Sequence, residues 1–155
     1  MISLQRQRGV AMLELAICMT LLITLVFGIT EFGRAMFQYD TLAKSARDAA
    51  RFLAVRDPSA AGAVGDAKCM TVYGNPNCTG TALAPGLTTG MVSVCYAADP
   101  ACAANYQSQG ASPVINLVGV TIGGANNPYV FTSAVPFVVP SFNFGAISVT
   151  MRQVL

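Results

Sequence analysis

Residues 9–30, GVAMLELAICMTLLITLVFGIT, decide how the rest of the chain is read. Between Glu14 and Glu31 no residue is charged, and residues 10–30 provide about the twenty-residue apolar length that crosses a ~30 Å hydrocarbon core as a helix. The residues in front, MISLQRQRG, carry Arg6 and Arg8 and no acid. The positive-inside bias therefore predicts a cytoplasmic N-terminus, with everything after about Thr30 outside. An ordinary secretory signal fits less well, because residues 27–35, FGITEFGRA, make a poor small-residue cleavage site. Glu14 is the oddity of the segment. A carboxylate inside an apolar span costs several kcal/mol unless it is paired, and the neighbouring sequence offers it no partner.

Nothing in the sequence stops the helix where a membrane would end. Phe32, Ala35, Met36, Tyr39, Leu42, Ala43, Ala46, Ala49, Ala50 and Leu53 recur at spacings of three and four, which predicts an apolar stripe. Arg34, Gln38, Thr41, Lys44, Arg47, Asp48 and Arg51 are expected on the opposite side, with Asp40 and Lys44 in the favourable i,i+4 order. A continuous helix is predicted over residues 10–55, stopping near Arg56, Asp57 and Pro58 because the residue before a proline disfavours the helical region. Such a helix reaches about 65 to 70 Å, roughly twice the membrane core. Its outer half must pack on its own domain or on other subunits.

Composition narrows the function classes. The 155 residues have room for one modest domain and one extra element, and only 10% of them are charged against roughly 25% in an average soluble domain. With 54% hydrophobic residues, the chain is built for a membrane or a packed assembly. A net charge of +2 without a basic patch beyond the N-terminus gives nucleic acid no electrostatic footprint. The absence of His removes the commonest general base and a frequent metal ligand. No Gly-rich phosphate loop follows a strand, and no base stands ready for a nucleophilic hydroxyl, so no active site, small-molecule substrate, cofactor or metal is expected.

After Pro58 the texture turns to Ala, Gly, Thr, Ser, Asn and Pro with β-branched runs, which predicts a small β-rich domain. The candidate strands are residues 91–97, 114–122, 129–139 and 146–154. In the last, Ile147, Val149 and Met151 share one face and Ser148, Thr150 and Arg152 the other. Pro136 predicts that the third is broken or lies at an edge, and residues 123–128, GGANNP, read as a turn. Four Cys in this half suit an oxidising compartment. Cys69 and Cys78 flank the turn-like MTVYGNPN, and Cys95 and Cys102 flank YAADPA, so local pairing is favoured among the three connectivities. Zinc is disfavoured, because neither pair has CxxC spacing. Cys18 reads as a lipid-facing or helix-packing residue, and Asn77-Cys78-Thr79 as only a formal glycosylation acceptor.

The string RGVAMLEL, residues 8–15, resembles the class III signal of type IV pilins and pseudopilins: a Gly, then an apolar segment whose fifth residue is Glu. More narrowly, residues 6–53 look like the N-terminal region of the TadE-like family, pseudopilins of the tight-adherence (Tad/Flp) pilus system. EFGRA after the apolar span and the following ARDAAR are the most particular parts of that likeness. The resemblance implies a leader of residues 1–9 that a prepilin peptidase removes after Gly9, leaving Val10 as the new N-terminus. Many type IV pilins have Phe at that position, and Leu15 stands where family members often carry an aromatic residue. Glu14 would then neutralise the free α-amine of a neighbouring subunit, each charge offsetting the other's desolvation.

The implied fold is α+β and pilin-like. A transmembrane half-helix over residues 10–30 and an amphipathic half over residues 31–57 would lead into a disulfide-stapled antiparallel domain over residues 58–155. The implied function is that of a non-enzymatic pseudopilin or minor pilin in assembly of a Tad-type, type IVb-like pilus for adhesion or secretion. Its partners would be the membrane, the prepilin peptidase, other pilins or pseudopilins and the Tad inner-membrane assembly components. Its place would be the bacterial inner membrane, single-pass, with the outer domain periplasmic and entry into the pilus as one fate. Competing readings are an uncleaved signal-anchored periplasmic binding or scaffold protein, a secreted domain cut near Ala35, and an enzyme built on Asp66 or Asp99.

Overall fold

The computed structural model describes residues 4–106 and 115–154. The first residues of the expected leader, the side chains of Arg6 and Arg8, and the expected start of the second strand at Val114 lie outside what is described. The architecture is α+β: a long apolar N-terminal helix, an antiparallel sheet and two disulfides. The helix, α1, runs from Leu4 to Ala54 without a break and ends just ahead of Pro58. Two compact units divide the chain, Met1–Met36 with Thr132–Ser141 and Phe37–Phe131 with Phe142–Leu155.

The second of these units holds the core. Its main sheet has the order β1-β2-β5, all antiparallel, from β1 (Val92–Tyr96), β2 (Leu117–Ile122) and β5 (Ile147–Arg152). The register aligns Val92, Ile122 and Ile147 in one row and Val94, Val120 and Val149 in the next. Cross-strand rows of β-branched residues are the main stabilising unit of such a sheet. This face joins Leu42, Ala46, Ala49, Ala50 and Leu53 of α1 in a single core. The four alanines of the run 43–50 leave little between the helix backbone and the strands, so close approach replaces side-chain bulk.

The opposite face of the sheet is polar along the row Ser93, Thr121 and Ser148, where the Thr121 hydroxyl donates to Ser148 Oγ at 2.9 Å. Gly119, in the middle of β2, is covered by the ring of Tyr106 from the short helix α3 (Ala103–Tyr106), and a Cβ there would collide with that ring. Cys95 of β1 is bonded to Cys102 just before α3, which holds that cover beside the strand. A second ribbon pairs β3 (Val130–Phe131) with β4 (Phe142–Asn143). Around it Tyr39, Tyr129, Phe131, Phe142 and Phe144 stack with ring centroids 5.2 to 6.2 Å apart.

Three sequence expectations need correction. Residues 63–73 form a helix, α2 (Ala63–Tyr73), where turns and strands were expected, so Cys69 sits on a helix before its bond to Cys78. Its buried residues Ala63, Ala67, Thr71 and Val72 follow helical spacing, but small and polar side chains hide the period. Gly74, at φ 73°, ends it by donating its N–H to the Met70 carbonyl at 2.9 Å. The third strand is broken as Pro136 implied, but it is shorter than the expected residues 129–139: it contracts to Val130–Phe131, residues 134–139 turn around Pro136, and the chain re-enters the ribbon as β4. The expected stripe of α1 is buried at Ala35, Leu42, Ala43, Ala46, Ala49, Ala50 and Leu53 but departs from the apolar pattern elsewhere. Glu31, Gln38 and Ser45 are buried with Ala35, Leu42 and Ala49, whereas Phe32, Met36 and Tyr39 are exposed.

Candidate assembly surface

The first unit begins with the part of α1 that buries nothing of its own. Val10, Met12, Leu13, Leu15, Ile17, Leu21, Leu22 and Leu25 are all more than half exposed, and they point around the whole helix. Three hydroxyls in this stretch are satisfied by the helix itself. Thr20, Thr24 and Thr30 each donate their hydroxyl to the carbonyl four residues earlier, at 2.9, 2.8 and 2.8 Å. Such back-bonding lets a threonine lie in hydrocarbon without an unsatisfied hydroxyl. The helix is long and apolar enough to cross a membrane, and its placement near the N-terminus suggests a single-pass anchor.

Gly9 and Val10 lie within α1, both exposed. Gly9 weakens the helix there by about 1 kcal/mol relative to Ala, so the bond following it sits at an intrinsically easy point to unwind. Glu14 lies four residues after Val10, on the same face of the helix. Its carboxylate is exposed and has no hydrogen-bond or ion-pair partner among the described residues. Cys18 is a free and exposed thiol. No cluster of His, Cys, Asp or Glu able to hold a metal occurs among the described residues.

A second carboxylate, the first residue of EFGRA, has a structural role that the sequence does not reveal. Glu31 is buried, and its Oε2 accepts from Ser133 Oγ and from the Ala134 N–H, each at 3.2 Å. Arg34, one turn on, lies 3.4 Å from the same oxygen and donates to the Thr132 carbonyl. Ser133 completes the knot: its hydroxyl accepts the Val135 N–H at 3.1 Å, and its N–H donates to Ser141 Oγ at 3.2 Å. The acid thus fastens residues 133 and 134 to α1 with charge-assisted hydrogen bonds, and Ser133 in turn holds Ser141 at the other end of the loop. The i,i+3 pair EFGR was the available signal, but its hydrogen-bond partners are some hundred residues away.

In the second unit Gln38 and Tyr129 form a comparable buried contact. The Tyr129 phenol donates to the Pro85 carbonyl at 2.8 Å and lies 3.1 Å from Gln38 Oε1. Burial pushes the phenol above the ordinary tyrosine range, which keeps it protonated and able to donate. These contacts hold residues 133–134 and Tyr129 against α1.

Neither a curated protein nor a solved structure matches the chain. Residues 9–51 match the family model described as TadE-like protein, a likeness carried by α1 from the expected cleavage point through the exposed apolar turns, Glu31 and the alanine face.

Proposed function

We propose that the protein is a non-enzymatic pseudopilin or minor pilin that acts in assembly of a Tad-type pilus. The TadE-like match over residues 9–51 carries this reading, since it begins at Gly9 and takes in the N-terminal turns of α1, whose large apolar side chains are exposed. Arg6 and Arg8 before the span and two disulfides after it support an N-terminus in the cytoplasm and an outer domain in an oxidising periplasm. In this reading a prepilin peptidase cuts between Gly9 and Val10 and frees an α-amine at the cytoplasmic end of α1.

Glu14 then serves assembly. Placing an ammonium against a carboxylate in low dielectric is worthwhile only when the partner is close, so the pair selects one axial register of neighbouring helices among many that bury equal apolar area. The partners are the membrane, the prepilin peptidase, other pilins or pseudopilins and Tad assembly components. The test is Glu14→Ala in cells that make the pilus. Processing should continue while pilus number falls steeply; normal piliation in that strain would remove Glu14 from assembly.

A further inference from the structure

Residues 135–140, VPFVVP, contain no charge, and none occurs anywhere between Asp99 and Arg152. Phe137 at the tip is the most exposed of the exposed large hydrophobic residues, at 84%. An exposed phenylalanine between valines and prolines is an unusual choice for a loop in water. The loop's foot, residues 132–134, is tied to Glu31 and Arg34, while Val138 packs 3.8 Å from where a Cβ on Gly28 would stand. Gly28 precedes Glu31 by three residues and belongs to the charge-free run, so the loop reaches back from its charged foot along the apolar part of α1.

Few of its N–H groups are left open. Pro136 and Pro140 have no N–H, Val135 donates to Ser133 Oγ, and Val138 and Val139 both donate to the Val135 carbonyl, at 3.0 and 3.1 Å. Only the Phe137 N–H finds no acceptor within the loop. Fewer open donors lower the cost of bringing a loop to the edge of the hydrocarbon, where its carbonyls can still meet interfacial water.

We propose that residues 135–140 dip into the lipid leaflet from which α1 emerges, with Phe137 at the acyl boundary and the Glu31 knot at the water side. The loop thereby fixes the depth of α1 in the bilayer. This rests on reading residues 10–30 as the membrane span. The occupant is phospholipid, because the neighbouring surface of α1 is continuous with that span and carries no charge to recognise a polar partner.

The test uses the full chain with Cys18→Ser, reconstituted in phosphatidylcholine vesicles. One environment-sensitive thiol label is placed by Phe137→Cys, Ile23→Cys or Thr150→Cys in turn. Position 137 is so exposed that the change removes little packing. Nitroxide lipids should quench most of the emission at 137 and at 23, leaving 150 on the solvent side of the sheet bright. Strong quenching at 23, with 137 answering only to aqueous iodide, would overturn the loop's role and leave the span intact. A label at 137 shielded from both quenchers would also overturn it, marking a protein as the occupant. Absence of lipid quenching at 23 would bring down the span reading, and with it the proposal.

Discussion

The two halves of α1 use similar helix-forming residues toward opposite ends. In residues 10–30 the large side chains Leu, Ile, Met and Phe project on every side and none is buried by the chain. In residues 42–54 alanines dominate one face, and Leu42, Ala46, Ala49, Ala50 and Leu53 are completely buried. A helix that is apolar all round must find its cover outside the chain, in lipid or in other helices, whereas a narrow small-residue face can be covered at close range by a sheet. Bulk around the whole circumference thus marks the half that the chain leaves uncovered, and small residues on one side mark the half that it packs upon.

The sharpest way to break that comparison is to truncate one leucine in each half. Leu53→Ala should lower the stability of the outer domain by about 2 to 5 kcal/mol, since it leaves a cavity in a closed core. Leu22→Ala, at an exposed position, should leave that stability unchanged. Denaturant unfolding of the full chain in detergent, followed by near-ultraviolet signals of the outer domain, reads both. Equal losses would mean that the N-terminal half contributes to the folded core after all.

Glu31 stands at the point where the two regimes meet along the helix, and it shows what an internal partner does for a buried acid. Glu31→Ala should cost about 1 to 3 kcal/mol, because the Ala134 N–H and the Ser133 hydroxyl lose their acceptor. The loss should appear as faster hydrogen exchange at residues 133–135. Unchanged exchange there would deny the acid its fastening role. Glu14, by contrast, has no such partner among the described residues, so Glu14→Ala should leave the fold untouched and, on the proposed function, act on assembly.

The smallest effect is expected at the other buried polar contact of α1. Tyr129→Phe should cost about 1 kcal/mol near neutral pH by removing the donor to Pro85. Burial raises the phenol's pKa in the folded state, so its contribution is complete below the unfolded value of about 10 and is lost as pH rises through the folded value. Stability of the natural protein should therefore decline above about pH 10 more steeply than that of Tyr129→Phe. Parallel declines in the two proteins would remove this residue from the alkaline response.

The long helix, its end before Pro58 and the sheet face of β5 were legible because each rests on a period of large or alternating residues within one short window. The helix α2 was not, since Ala63, Ala67 and Thr71 bury a face without the bulk that reveals a period. The polar members of the buried line of α1 escaped for a different reason. Glu31 and Gln38 look like solvent residues until Ser133, Ala134 and Tyr129 arrive from far along the chain to satisfy them. Polar residues at core positions are set by partners, and partners distant in sequence leave no local trace. Of the candidate assembly residues, Gly9, Val10 and Glu14 are readable by motif, whereas the charge-free loop at Phe137 gains meaning only from its place beside Gly28.

The most direct measurement is the N-terminus of the mature protein, by intact mass and terminal peptide mapping, in cells with and without the prepilin peptidase. The expected result is a chain that starts at Val10 when the peptidase is present and at Met1 when it is absent. A chain that starts at Met1 in both strains would contradict the pilin-like reading and leave α1 as an uncleaved anchor, with no free amine for Glu14 to meet.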